Sequence, residues 1–299
     1  MAVDPAAPAA SPARFTPDEA RRLLDPVRAA VRDAAAQVMA VHARAIAVAH
    51  KADASPVTEA DTLAEAVLTP ALQRLLPGVP VVAEEAVARE GPPPLGPCFW
   101  LVDPLDGTRE FIARNGEFTV NVALVCEGRP VLGVVAAPAQ GVGGQCYAGV
   151  PGAGAWLEEA GRRRAIACRP VPAAGLTLLG SRSHGDGEAL EQVIARGLRG
   201  SGLQVRQRQV MGSSLKLCRV AEGAADLYAR LGRTMAWDIA AGHAVLLAAG
   251  GGVWCLDGSP LRYGCADGAP AHEALANPGF VAAGPGAWPP VAAQGAKDC

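Results

Sequence analysis

Apolar residues recur every three to four positions over two early stretches, roughly Leu23 to His50 and Ala60 to Leu76. That spacing places them on one face of a helix. Thr16-Pro17-Asp18-Glu19 reads as an N-cap with proline at the first helical position, so ordered structure is expected to begin there. Pro77-Gly78 closes the second helix, and Val79–Ala83 is a short apolar strand ending at Glu84-Glu85. After a proline-rich loop, Gly91–Pro97, the run Cys98-Phe99-Trp100-Leu101-Val102 predicts a buried strand. A short helix and a hairpin-like pair, Phe118–Val125 and Val131–Ala137, complete this part.

The remainder alternates strand and helix. Strands are expected at Leu176–Gly180, Gln204–Val210 and Ala225–Tyr228, and helices at Glu188–Arg199, Ser213–Glu222 and Asp238–Ala249. The last helix stops at Gly250-Gly251-Gly252. Gly141–Gly154 is glycine-rich, but it lacks the Lys-Ser/Thr of a phosphate loop and a G-x-G-x-x-G between strand and helix. It therefore reads as β-turns. No internal repeat is visible. The pattern predicts a layered α/β chain, mixed α+β, forming one compact domain over residues 16–285 with halves at about 16–160 and 161–285. Residues 1–15 form a Pro/Ala tail, expected to be disordered, and 286–299 a C-terminal tail.

Composition narrows the function classes. Half of the 299 residues are hydrophobic and 19% are charged, which fits a folded globular chain. A net charge of −2 gives no basis for a polymeric nucleic-acid partner, while a small anionic substrate stays compatible. No apolar stretch is long enough for stable membrane insertion, and Met1–Ala13 lacks a basic region followed by an apolar one, so a cytoplasmic location is expected. The eight cysteines, Cys98, Cys126, Cys146, Cys168, Cys218, Cys255, Cys265 and Cys299, show no C-x-x-C pair or zinc-ligand spacing. Reduced core thiols are expected.

Chemistry concentrates in Trp100-Leu101-Val102-Asp103-Pro104-Leu105-Asp106-Gly107-Thr108. Pro104 forbids simple continuation of the ladder, so both carboxylates fall in a turn at the strand's carboxyl end, where open α/β sheets hold ligands. Gly107 and Thr108 then offer N–H groups and a hydroxyl at a helix start, an anion-friendly position. Hard carboxylate ligands for Mg²⁺ beside an anion cradle suit metal-assisted phosphate ester hydrolysis. A tight Asx-Pro turn with an acidic helix cap accounts for the same residues taken alone. Three further acids lie at element boundaries: Asp61 near the start of the second helix, Glu84 after the strand Val79–Ala83, and Asp238 at the N-cap of the apolar helix.

Together these segments resemble the inositol monophosphatase superfamily of Mg²⁺-dependent, lithium-sensitive phosphatases, and within it the bacterial CysQ-type 3′(2′),5′-bisphosphate nucleotidases. The likeness runs from about Val27 to Val281. It is carried by Lys51–Asp61, Trp100–Asn121, Ser181-Arg182-Ser183-His184, Gly212-Ser213-Ser214-Leu215-Lys216, Trp237–His243 and Asn277-Pro278-Gly279-Phe280. The resemblance implies the layered αβαβα sandwich of lithium-sensitive sugar phosphatases and two or three Mg²⁺ ions. It also implies that Glu84, Asp103 and the Leu105 carbonyl bind one metal, and Asp103, Asp106 and Asp238 a second. Thr108 would hydrogen-bond the attacking water, with Asp61 supporting Thr108, Glu84 assisting deprotonation, and the N–H groups of Gly107 and Thr108 holding the phosphate. One departure is that the branch's usual Ser-Glu-Glu-Asp-like run is Ala83-Glu84-Glu85-Ala86 here.

Substrate choice rests elsewhere. The stretch Tyr228–Thr234 is basic, with Arg230 and Arg233, and Lys216 follows Ser213 at a helix start. Cations away from the metals suit a second phosphate. With the resemblance, they favour 3′-phosphoadenosine 5′-phosphate, cleaved to AMP. An inositol monophosphatase or sugar-bisphosphate phosphatase is the alternative, and a non-catalytic ligand-binding protein on the same fold the distant one. His184 stays open between a nucleotide contact and a surface or core residue, and oligomeric state is left open.

Overall fold

A computed structural model describes residues 15–46, 48–50, 56–182, 187–264, 273 and 275–288. The tail 1–14, Lys51–Ser55, Ser183, His184, Cys265 and Cys299 lie outside the described residues. In chain order the first half comprises α1 (Pro17–His42), β1 (Val48–His50), β2 (Pro56–Thr58), α2 (Glu59–Leu75), β3 (Val81–Ala83) and α3 (Glu84–Glu90). It continues with β4 (Cys98–Asp106), α4 (Thr108–Ile112), β5 (Thr119–Cys126), β6 (Arg129–Ala137), β7 (Gln145–Val150), β8 (Gly154–Glu159) and β9 (Arg162–Ile166). The second half comprises β10 (Leu176–Ser181), α5 (Gly187–Gly197), β11 (Val205–Met211), α6 (Leu215–Ala221), β12 (Leu227–Arg230) and β13 (Thr234–Met235). It ends with α7 (Ala236–Ala248), β14 (Gly252–Cys255), β15 (Ala276–Asn277) and β16 (Phe280–Ala283).

Strands β3 to β9 form one sheet in sequence order, antiparallel apart from the parallel β3–β4 pair. A second sheet has the order β11-β10-β12-β16-β14. Strand periodicity explains how these become layers. Cys98, Trp100 and Val102 of β4 join one core with α1 and α2, whereas Phe99 and Leu101 join another with α6 and α7. The small sheet alternates likewise: Tyr228, Phe280 and Ala282 face α6 and α7, while Leu227, Ala229, Val281 and Ala283 join the core containing Leu190 and Ile194 of α5. The order is α1/α2, large sheet, α6/α7, small sheet, α5: the expected αβαβα sandwich. Gly133 and Gly149 lack the Cβ atoms that would collide with α7 backbone, so the central helix sits directly on β6 and β7.

Helix α1 starts as expected, with Thr16 Oγ1 accepting from the Glu19 N–H and the Glu19 carboxylate accepting from the Thr16 N–H. Other boundaries move. The first helix ends at His42, and Glu84, read as the end of a strand, begins the helix α3. The glycine-rich stretch contains β7, followed by β8 and β9, which no strong alternation announced. Ala287 and Trp288 pack in the core beneath α5, so ordered packing continues past residue 286. No described helix is long and apolar enough to cross a membrane.

The expectation of reduced thiols is overturned at one pair. Cys98 and Cys126 form a disulfide, with Cα atoms 4.1 Å apart, because antiparallel registration places them opposite each other on β4 and β5. Scattered positions in sequence concealed a cross-strand pair. Cys146, Cys168, Cys218 and Cys255 are free, in keeping with reduced thiols there.

Candidate active site

Strand β4 does not stop at Asp103; it runs to Asp106, with its register on β5 shifting between them. Pro104 sits within that irregularity, where no ladder N–H is required. Asp103 faces Asn121 and Asp106 faces Thr119 across the strands. Gly107 follows with φ 86°, a conformation that makes the corner into α4 and disfavours any other residue.

The carboxylates are held by backbone donors. Asp103 Oδ1 accepts from the Leu105 N–H at 3.0 Å, Asp106 Oδ2 from Ser214 at 2.5 Å and Asp238 Oδ2 from Met235 at 2.9 Å. Asp238 is thus the third residue of α7, reaching back to the N-cap Met235, and not the N-cap itself. The second oxygen of each of these three carries no hydrogen bond among the described residues. Asp61 caps α2: its Oδ2 accepts from the Thr58 N–H at 2.8 Å and hydroxyl at 2.7 Å. Its Oδ1 stands 3.5 Å from the Thr108 hydroxyl, which also donates to the Leu105 carbonyl at 3.2 Å.

This gathering is electrostatically costly. Burial pushes Asp103 well above the carboxylate range, and Glu84, Asp106 and Asp238 push it further. Asp238 rises for the same reasons, burial first, then Asp106 and Glu84. Burial raises Asp106 to about 6, opposed by Lys216 and the Ser214 N–H, and raises Asp61 to about 7. Among the described residues no three such side chains form a ready-made metal cluster. The donor chemistry nonetheless fits a hard divalent cation: carboxylate oxygens, confined together, whose burial and mutual repulsion a cation relieves.

A pH dependence follows. A carboxyl with a raised folded-state pKa stabilises the fold fully below its ordinary value of 3.8, and that contribution is lost as pH rises through the folded value. For Asp61, a rise to about 7 corresponds to about 4 kcal/mol. The metal-free protein is therefore expected to lose thermal stability between about pH 4 and pH 7. Millimolar Mg²⁺ should flatten or reverse that trend. Melting curves across this range, with chelator and with Mg²⁺, provide the check; a metal-free stability that climbs towards pH 7 would contradict it.

The second half supplies further lining. Ser213 adopts φ 48° in the turn between β11 and α6, a conformation uncommon for a residue with a side chain. Lys216 holds that turn: its buried Nζ donates to the carbonyls of Met211 at 3.1 Å and Ser213 at 2.5 Å and lies 5.2 Å from the Tyr228 ring centroid. Burial lowers the ammonium to about 8. Two of its three donors are thus engaged by the chain, which leaves one for an anion. Arg182 pairs bidentately with Glu117, whose Oε2 also accepts from Gly212 at 2.8 Å, tying the turn to the loop after α4.

A cleft of about 850 Å³ is lined by Glu84, Asp106, Gly107, Thr108, Ser213, Lys216, Arg230 and Asp238, with Arg109 and Arg233 exposed at its edge. Asp61, Asp103 and Leu105 are buried behind this lining. All the residues singled out from sequence therefore gather in or beside one cleft; His184 lies outside the described residues. Sequence reading missed the residues that hold them. Ser214 donates its N–H to Asp106 and its hydroxyl to Asn121 Oδ1 at 2.8 Å, and it lies 2.9 Å from the Thr119 hydroxyl. Its adjacency to Ser213 was the available signal; the contact itself spans both halves.

The family model for the inositol monophosphatase family matches residues 20–293. The chain is 44% identical over 260 residues to the 3′(2′),5′-bisphosphate nucleotidase CysQ of Escherichia coli K12, covering 86% of this chain and 98% of the relative. Among solved structures, CysQ from Bacteroides thetaiotaomicron, described as a bacterial member of that family, matches with a TM-score of 0.68 at 34% identity. That match covers 87% of this chain and 96% of the other. Mycobacterium tuberculosis SuhB matches with a TM-score of 0.64 at 27% identity over 89% of this chain and 92% of its own.

Proposed function

Because the chain belongs to the inositol monophosphatase family, we propose that it is a Mg²⁺-dependent phosphomonoesterase acting on 3′-phosphoadenosine 5′-phosphate. Water cleaves the 3′-ester and leaves AMP and phosphate. The observation that carries this reading is the mixed charge of the cleft. Carboxylates Glu84, Asp106 and Asp238 and cations Lys216, Arg230 and Arg233 line the same space. A substrate bearing two phosphates makes use of both kinds of group, one phosphate through cations at the carboxylates and one directly.

Glu84, Asp103, the Leu105 carbonyl, Asp106 and Asp238 are the residues proposed to hold two or three Mg²⁺ ions, Asp103 being shared. Bound there, Mg²⁺ supplies Lewis-acid polarisation of the phosphate and a more acidic water. The rest falls to the chain. Thr108 orients the attacking water by accepting a hydrogen bond from it, while its own O–H donates to Asp61. Glu84 assists removal of the water's proton, and the departing 3′-oxygen is protonated from solvent. The N–H groups of Gly107 and Thr108 hold the reacting phosphate at the start of α4. Ser213, Lys216 and Arg230 hold the 5′-phosphate.

Phosphate release in Mg²⁺ from the adenosine bisphosphate, inositol 1-phosphate and fructose 1,6-bisphosphate tests the assignment. The nucleotide is expected to exceed both others in kcat/KM by at least about tenfold, a difference of only about 1.4 kcal/mol. A higher value for inositol 1-phosphate would move the substrate to the inositol branch while leaving the metal chemistry in place.

A further inference from the structure

Helix α3 begins at Glu84, and its N-cap, Ala83, makes no side-chain cap hydrogen bond. The N–H groups of the first turn have no partner within a helix, and an N-cap side chain ordinarily takes the second or third of them. In α3 those belong to Glu85 and Ala86. Glu65, from the middle of α2, supplies the missing acceptor. Its Oε2 takes the Glu85 N–H at 2.9 Å, and the Ala86 N–H interacts with the same carboxylate. Glu65 is 6% exposed, and Oε1 lies 3.8 Å from Arg89 in the last turn of α3. One carboxylate from another helix therefore touches both ends of α3, with its charge at the favourable end of the helix dipole.

Its placement matters. Asp61 and Glu65 are four residues apart in α2 and share a face of that helix. Asp61 reaches towards Thr108 and Glu65 reaches the first turn of α3, where Glu84 enters the cleft. We propose that Glu65 is a positioning residue, capping α3 from α2 so that Glu84 is held in register with Asp61 and Thr108. The proposal rests on the metal role assigned to Glu84.

The test uses the full chain and the variants Glu65→Ala, Glu65→Gln, Ala83→Ser and Glu65→Ala/Ala83→Ser. Two quantities are read: amide hydrogen exchange over 84–90 and the Mg²⁺ concentration for half-maximal activity. Glu65→Ala should speed exchange in α3 about five- to tenfold, the usual size of a lost cap. It should raise the half-maximal Mg²⁺ concentration by a similar factor with substrate KM little changed. Glu65→Gln keeps an acceptor and should fall between; if Glu65→Ala does not fold, Glu65→Gln with and without Ala83→Ser takes its place. Serine at 83 restores a local cap, so the double variant should recover most of both losses, while Ala83→Ser alone changes neither appreciably.

Failure of Ala83→Ser to rescue exchange overturns the cap. Lost protection with an unchanged Mg²⁺ requirement overturns the positioning role. Glu84→Gln, measured in parallel, separates the two readings. If it leaves the Mg²⁺ response intact, the metal role of Glu84 fails and this proposal with it. If it destroys that response while Glu65→Ala does not disturb it, only the positioning role is overturned.

Discussion

Replacing Asp103 with asparagine is expected to lower kcat/KM at least a thousandfold and, in the absence of metal, to raise the melting temperature. The two effects have one cause. Asp103 is 1% exposed and faces repulsion from Glu84, Asp106 and Asp238, so its charge destabilises the empty fold. Asparagine keeps an oxygen for the Leu105 N–H, now at 3.0 Å from Oδ1, and removes the charge. The same removal takes away the carboxylate proposed to be shared between cations. Transition-state stabilisation by metals amounts to several kcal/mol, and about 1.4 kcal/mol is a factor of ten in rate. Melting in chelator and phosphate release in Mg²⁺, on one preparation, check both arms. Near-normal turnover would end the shared-ligand assignment, and a lowered metal-free melting temperature would contradict the repulsion argument.

The corner bearing Asp103 and Asp106 was legible because a local pattern displays it directly, whereas Asp61, Glu84 and Asp238 were joined to it by the family resemblance. An apolar run followed by Asp-Pro-Leu-Asp-Gly-Thr announces a strand end and a corner whatever surrounds it. Thr16 and Glu19 announce a helix start in the same way. What stayed hidden depends on register and on approach across the fold. Pro104 argued for a strand ending, yet β4 accommodates it by shifting register and continues to Asp106. Cys98 and Cys126 became partners only once β4 and β5 were aligned. Asp238 looked like an N-cap because Asp is favoured there, but the helix starts two residues earlier and its carboxylate folds back. Lys216 was legible as a cation near an anion site, and its bonds to Met211 and Ser213 show that it also braces the turn bearing Ser214. Residues that support others, such as Ser214 and Glu65, have no local signature because their partners lie about 100 and 20 residues away.

Thr108→Val should cost about a hundred- to thousandfold in kcat, within the range for a positioned proton-transfer group, with little change in substrate KM. Valine matches threonine in shape, so the corner at Gly107 and the start of α4 are preserved while the hydroxyl is lost. That hydroxyl donates to the Leu105 carbonyl at 3.2 Å and stands 3.5 Å from Asp61. If a cation occupies the Leu105 carbonyl, as proposed, the Thr108 proton turns to Asp61, which frees the threonine lone pairs to accept from water. Asp61→Asn should then cost a similar factor, because an amide facing Thr108 can donate where acceptance is needed. Combining the two should cost little more than either, since each breaks the same hydrogen bond. Thr108→Ser, retaining the hydroxyl, should keep most of the rate. Multiplicative losses in the double variant would separate the two residues and leave Asp61 as the cap of α2 alone. Equal losses in the single and double variants would show that Thr108 and Asp61 act as one hydrogen-bonded unit.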